Sequence, residues 1–523
     1  MTDPLHIRYH KWAPPDSKRL FRSVKDKLGI VSSQFYMPLF SMYFHVHNTP
    51  RSHRTIDLER RFYLYEITEI TKHRYYHSNL CIRGQVYDSG KHIYIHKDIF
   101  CKTIPLVDPI HCIHNNYNMR HSRNPLLPSG YNHNTFHKVN DLNNTGYIDV
   151  FCSYLFGQLS HLKKSPSFPI FYGSLNGVGP YKYDITEDYD ELRMEKVFCE
   201  NLGKTFTLDI YASDSCSDTS RSSGRSRSSG RSRSSGRSRS SGRSRSSGGD
   251  DILASDDYKQ LERNVDNERM DRDNISPGSS VDYEDEYIAN IKGIPLQNLF
   301  IEKLEATLED YLRDASFHED TLRSCMYQIA FALSSLQKKY QFTHNDLHIN
   351  NIMYQSTTSV YLYYKLNNQY FRVPTFGKIF KIIDFGRAIL TFKKKTYFND
   401  VFSRTSDAGG QYSYPHQVSF LNARPPGQPI QPNYHFDLCR LAMTILEEVP
   451  KDDISETLMD FLNGLCIDSN GSNFCDMDDD FDLYIAIARN ANHSLPLDTL
   501  SNEIFKDYRV SKKHFPHKSY YTL

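Results

Sequence analysis

Two short segments, FTHNDLHINNIMY (Phe342–Tyr354) and KIIDFGRAI (Lys381–Ile389), restrict the fold of this chain more than any other feature. Each sets a carboxylate in a defined local frame. Asp346 follows a stretch from about Asp320 to Tyr340 in which Leu322, Met326, Ile329, Leu333 and Leu336 share one helical face. Asp384 ends an apolar, strand-like run (KIFKIID), and Phe385-Gly386 allow a tight turn just beyond it. Asn351 stands five residues after Asp346, close enough to share one rigid loop. A helix must therefore lead into one polar loop, and a strand must deliver a second carboxylate.

Such a set suits phosphoryl transfer from ATP, which leaves a protein little covalent work. It needs a carboxylate to orient or deprotonate the acceptor hydroxyl, and hard oxygen ligands to hold magnesium over the phosphates. Asp346 is the candidate for the first task, and Asn351 and Asp384 are the candidates for the second.

The rest of the chain limits where this chemistry can sit. At 523 residues there is room for two to four average domains, or for one two-lobed domain with insertions. The 37 Tyr and 31 Phe supply enough apolar bulk for a large core. A six-residue repeat, GRSRSS, runs four times from Gly224 to Ser247. It has no apolar residue to bury, so it reads as a disordered insert and not as a solenoid. Ser220 to Ser247 carries nine arginines and no acid; the formal net charge of +1 therefore leaves −8 on the remainder. Only the tract offers a basic field, suited to weak electrostatic contact with RNA. Ten Cys occur without a CxxC pair, which reads as free thiols in a reducing compartment. MTDPLHIRYHKW lacks the apolar core of a signal peptide, and no apolar run reaches the ~18 residues that span a bilayer. A soluble cytoplasmic or nuclear protein without membrane contact is expected.

Along the chain, residues 1 to about 75 mix aromatic and basic patches and carry no chemistry. Alternation from Leu80 to Pro105 suggests a hairpin. Tyr147 to Lys164 has helical spacing, and SPSFPIFYGS reads as a short strand opened by Pro166 and closed by Gly173. After the tract, an acidic stretch runs to about Tyr287, and a strand begins near Ile294. Gly203-Lys204-Thr205 lacks the upstream glycine of a P-loop, since position 198 is Phe. Asp468 to Asp480 has no glycine where a calcium loop turns, so it reads as a solvated acidic loop.

The motifs resemble those of the protein-kinase superfamily. His344 to Asn351 is similar to the catalytic loop HRDLKxxN, and Asp384 to Gly386 matches DFG. The two aspartates are 38 residues apart, longer than usual, with an insertion around Tyr361 to Phe376. LFIEKLEATLEDYL resembles a kinase hinge with its following helix. Ile301 takes the gatekeeper position, and Glu302 and Leu304 offer backbone groups to adenine. GGQYSYPHQ (Gly409 to Gln417) resembles the end of an activation segment, with Pro415 as the Pro of APE. NYHFDLCRLAMTIL resembles the buried central helix of the large lobe, anchored by Asp437. The resemblance covers about Leu296 to Leu446.

In the small lobe two alignments stand. One takes Gly84 and Val86 as the last Gly and Val of a degenerate glycine loop, with Asn79 and Cys81 where its first glycines belong. Lys102 is then the phosphate lysine, paired with Asp149 of the regulatory helix. The other uses Gly173 to Gly179 with Lys182 or Lys204. Asn345 replaces the usual Arg, His348 the loop lysine, and His416 the Glu of APE; haspin-like kinases and small-molecule phosphotransferases also carry the His. The divergent pattern is similar to kinase-like proteins of large nucleocytoplasmic DNA viruses, which implies host cytoplasm or virion.

The resemblance implies an α+β, two-lobed fold. Residues 1–75 form an extension, 76–300 a small lobe with the insert at about 213–290, and 301–523 the large catalytic lobe. It implies ATP and Mg2+ as cofactors and a serine/threonine protein kinase acting on a protein substrate. A pseudokinase scaffold and a small-molecule phosphotransferase are the alternatives.

Overall fold

The computed structural model describes residues 7–44, 52–73, 78–117, 119, 125–128, 131, 133–211, 285–399, 432–477, 480–516 and 520–523. The Arg/Ser tract, the segment Gly409 to Gln417 with Pro415 and His416, and Thr405 and Ser406 lie outside these residues. Among the described residues no helix is long and apolar enough to cross a membrane.

Pro14 and Pro15 open helix α1 (Pro14–Leu28), where the missing N–H groups are not needed, and Gly29 ends it at φ 70°. There follow β1 (Val31–Gln34), β2 (Phe62–His73), β3 (Leu80–Asp88), β4 (Ile93–Pro105), α2 (Thr145–His161), β5 (Phe171–Asp184), β6 (Phe206–Tyr211) and β7 (Glu286–Glu302). They form one antiparallel sheet in the order β1-β5-β7-β4-β3-β2, with β6 alongside the first part of β7. Strand alternation gives the sheet two different faces. On one, Leu20 and Val24 of α1 pack with Leu64, Ile67, Ile82, Val86, Ile99 and Cys101. On the other lies α2, whose Ile148, Val150, Phe151, Leu155, Phe156 and Leu159 are all buried. A helix apolar on every side cannot face water, and α2 is wedged between the sheet and the large lobe.

The large lobe is built on α3 (Glu319–Tyr340), β8 (Ile352–Ser356), β9 (Tyr361–Leu366), β10 (Gln369–Pro374), β11 (Lys378–Ile382), α4 (Phe436–Glu448) and α5 (Asp480–Asn490). β8 pairs with β11, so the strand leaving the Asp346 loop lies beside the strand that delivers Asp384. The expected insertion between the two motifs is the β9–β10 hairpin. It forms a four-stranded sheet with Arg509–Val510 and Tyr521–Thr522. Tyr364 and Phe371 of the hairpin pack against Tyr327 of α3, each with ring centroids 5.4 Å apart. The added residues thus extend the lobe's core and leave the paired strands β8 and β11 in place.

Three expected limits move. β2, before residue 75, is the edge strand of the main sheet: Tyr63, Leu64 and Ile67 are buried, while charged residues on the other face masked the strand pattern. β7 begins at Glu286, so residues 286–290, assigned to the insert, belong to the sheet. Gly173 does not end a short strand; Gly173 to Gly179 run through the buried middle of β5. Gly177 and Gly179 are needed because Ile30 lies against them: a Cβ on Gly177 would sit 2.5 Å from its Cγ2. The alternative phosphate loop over Gly173 to Gly179 is therefore interior strand, and its glycines answer to packing.

Candidate active site

The loop carrying Asp346 is held by its backbone. The amides of His344 and Asn345 donate to the two carboxylate oxygens of Asp437, each at 2.9 Å. Asp437 is fully buried in the first turn of α4. Without it, two buried N–H groups would lose their acceptor, at about 1–3 kcal/mol each. Asn345 takes φ 63° and donates from Nδ2 to the carbonyl of Arg387 at 3.0 Å, so its side chain serves the backbone. His344 Nε2 lies 2.9 Å from the carbonyl of Ile383, which ties the loop to the strand before Asp384. Asn351 Nδ2 donates to the carbonyl of Asp346 at 2.8 Å. Burial lowers the pKa of His348, only partly offset by Asp346, so the ring is neutral near pH 7.

Across the cleft, Lys102 Nζ lies 2.7 Å from Asp149 Oδ2 and 2.7 Å from Asp384 Oδ1. Asp149 Oδ1 also accepts from the backbone N–H of Phe385 at 3.2 Å. One carboxylate on α2 thus fixes the lysine and the residue after Asp384 together. Phe385 is buried against Phe156 of α2, ring centroids 5.0 Å apart. Thr145, at the start of α2, donates to Asn399 Oδ1 at 2.9 Å, and Asn399 donates to the carbonyl of Gly386. Desolvation works against the Lys102 ammonium, but Asp149 and Asp384 outweigh it and raise its pKa. Burial raises Asp149 above the ordinary carboxylate range, with Lys102 opposing. Desolvation also pushes Asp384 up, but Lys102 overrides it and brings the value down to about 2. Asp384 is therefore a charged carboxylate in a cleft with one more acid than base.

Asp384 Oδ1 is engaged by Lys102, and its side chain is 42% exposed. The Nδ2 of Asn351 faces Asp346 and His348, which leaves the amide oxygen for another partner. A carboxylate oxygen and an amide oxygen are the donors a magnesium ion takes when phosphates and waters complete its shell. Among the described residues no group of three or more His, Cys, Asp or Glu is arranged to hold a metal ion by itself. The residues fit an ion that arrives with a phosphate ligand.

The hinge residues lie where β7 ends. Ile301 pairs with Phe100 of β4 and is buried on the face that carries Lys102. Glu302 makes an ion pair with Lys381 at 2.5 Å and accepts from the Ile170 amide at 3.1 Å. Its own N–H donates to the carbonyl of Ile170. Lys303 and Leu304, between strands, make no backbone–backbone hydrogen bond among the described residues.

Gly84 and Val86 are a correction. Lys102 and Phe100 share one face of β4, and the β3 residue opposite Phe100 is Cys81. Val86 and Gly84 project from the other face, with Ile82 and Ile99, toward α1. A Cβ on Gly84 would meet Leu64 Cδ1 at 2.7 Å and the Glu66 carbonyl at 3.0 Å, beside a register shift in the β2–β3 pairing. Glycine is there for close approach of strands, and neither residue lines the cleft. Asn79, just before β3, accepts at Oδ1 from Thr103 N at 2.9 Å, one residue from Lys102.

Sequence reasoning also missed Tyr484, which donates to Asp346 Oδ1 at 3.2 Å, and the Glu302–Lys381 pair. The only signal for Tyr484 was the helical stripe of Leu483, Tyr484, Ile487 and Ala488, all buried.

No family model matches the chain. A probable serine/threonine-protein kinase of Dictyostelium discoideum is 35% identical over 88 residues, 15% of this chain and 7% of that protein. The chain thus spans a small fraction of that relative's length. Among solved structures, the ROP18 kinase domain in complex with AMP-PNP and sucrose matches over 86% of this chain and 83% of that one. Identity there is 10% and the TM-score 0.28, so the likeness adds nothing to the geometry above.

Proposed function

We propose that this chain, protein-kinase-like in fold, transfers the γ-phosphate of ATP to serine or threonine hydroxyls of a protein. The observation that supports this best is Lys102 bonded at once to Asp149 and Asp384, 2.7 Å from each, across from an Asp346 loop tied down by Asp437. Lys102 is oriented to grip phosphate oxygens. Lys303 and Leu304 offer backbone groups at the hinge for a base edge. Asp346 orients the acceptor hydroxyl and takes its proton. Asp384 and Asn351 are the residues that would hold Mg2+, which when bound neutralises charge developing on the phosphates. Protein hydroxyls are preferred to a small molecule because the buried Asp437 and its helix belong to the peptide-docking half of this fold. The local likeness to a probable serine/threonine-protein kinase agrees.

A second reading, a scaffold that binds nucleotide without transfer, is favoured by Gly84 and Val86 lying off the site. One assay separates the two. Purified full chain is incubated with radiolabelled ATP and a generic basic protein, with and without magnesium. Label entering seryl or threonyl residues only with magnesium supports the kinase. Bound nucleotide without transfer supports the scaffold.

A further inference from the structure

Asp346 is held from outside its own loop. Its Oδ1 accepts from the Tyr484 hydroxyl at 3.2 Å and lies 3.6 Å from Nη1 of Arg387. Its Oδ2 has no protein partner among the described residues, and the side chain is 24% exposed. Tyr484 reaches it from α5, some 138 positions along the chain. The tyrosine is itself rigidly placed. Its ring packs on Phe436 of α4, centroids 5.9 Å apart, and the Arg440 guanidinium sits 5.4 Å from its centroid. Arg440 Nε is 3.5 Å from the hydroxyl, and both residues are buried. A buried phenol needs an acceptor, and among the described residues Asp346 is a carboxylate within its reach. Burial, reinforced by the Asp346 charge, keeps the phenol protonated and able to donate.

We propose that Tyr484 is a positioning residue for the transfer reaction: its hydroxyl fixes one oxygen of Asp346, so that the other faces the acceptor hydroxyl. The inference rests on the kinase reading above. A carboxylate free to rotate about its terminal bond presents the wrong oxygen or angle for part of the time, and misplacement of that order is costly in a near-attack geometry. Tyr484 is not in contact with the hinge or with Lys102, so nucleotide binding should not depend on it.

The test uses full chain carrying Tyr484→Phe, which keeps the ring against Phe436 and Arg440 and removes only the hydroxyl. The expected result is a fall in kcat of about tenfold, with KM for ATP unchanged. In an Asp346→Asn background the same change should cost nothing further, because the carboxylate it positions is gone. Unchanged kcat, a rise in the ATP KM instead, or an equal loss in the Asp346→Asn background would each overturn the proposal. Melting temperatures of the four proteins form a second cycle. Coupling between the two substitutions supports the bond, and strict additivity overturns it. Wild-type chain that transfers no phosphate overturns the kinase reading and with it the catalytic role, and the melting cycle alone then shows whether the bond exists.

Discussion

On the large-lobe side of the cleft, Asp346 and Asn351 come from one short loop whose backbone is fastened to Asp437. On the small-lobe side, Lys102 and Asp149 meet 47 positions apart, and only strand register and helix placement bring them together. The first half is local and the second is assembled. A local site is written in consecutive residues, so it can be recognised as a motif. An assembled site is specified by which face of a strand each residue takes, and a shift of one position would send Lys102 to the α1 side. The two halves should therefore fail in different ways.

The sharpest contrast comes from Asp346→Asn. It should cut turnover by roughly 10²–10⁴-fold while nucleotide still binds, measured as initial rate and as calorimetric ATP affinity. Lys102→Ala should follow, with a loss of roughly 10²-fold, the scale of removing one charge-stabilising donor. Lys182→Ala and Lys204→Ala should be near wild type in the same assay. If either is the sensitive lysine, the register argument for the small lobe is broken.

Gly84→Ala tests the same half through stability. The added methyl meets Leu64 and the Glu66 carbonyl, so about 1–3 kcal/mol should be lost. Denaturation should register it, and the ATP KM should not move. A raised KM with unchanged stability would return Gly84 to the phosphate site. A smaller effect is expected from phosphatase. Asn345 is buried, neutral and spent on the Arg387 carbonyl, so it holds no unpaired charge for a phosphate to satisfy. Protein shown by mass spectrometry to be bare at Thr405 and Ser406, the hydroxyls just upstream of the activation-segment-like stretch that starts at Gly409, should keep its rate within about tenfold, or ~1.4 kcal/mol of barrier. The least effect belongs to deletion of Ser220 to Ser247. With no apolar residue to bury, its loss should leave the melting temperature nearly unchanged.

Legibility in the sequence followed the same division. Asp346, Asn351, Asp384 and Asp437 were readable because loop, strand and helix contexts each leave a one-dimensional signature. Lys102 and Asp149 were readable only as a spacing argument, which the 2.7 Å contact supports geometrically. Gly84 and Val86 were misread because a glycine with a valine two residues on looks the same in a phosphate loop and in a strand that needs close approach. The β3–β4 pairing alone tells them apart. β2 went unseen because Glu66, Glu69 and Lys72 interrupt its apolar residues, and a one-sided edge strand has that composition. Tyr484 carries no local signal for its role: its partner lies on another element, and nothing between them marks the meeting.

The position of β7 has a consequence for biosynthesis. This strand is bonded to β5 along one side and to β4 and β6 along the other, so it is the keystone of the small-lobe sheet. It is also the last of those strands to leave the ribosome, after residues 212–284. Until it emerges, β4 and β5 each present an unpaired edge, the kind of surface that recruits other chains. Shortening the intervening segment would change the entropy of closure only logarithmically, by about 0.6 kcal/mol for each halving. It would shorten the interval of exposure in direct proportion. The length of the insert therefore bears more on the yield of nascent chains than on the stability of the finished lobe.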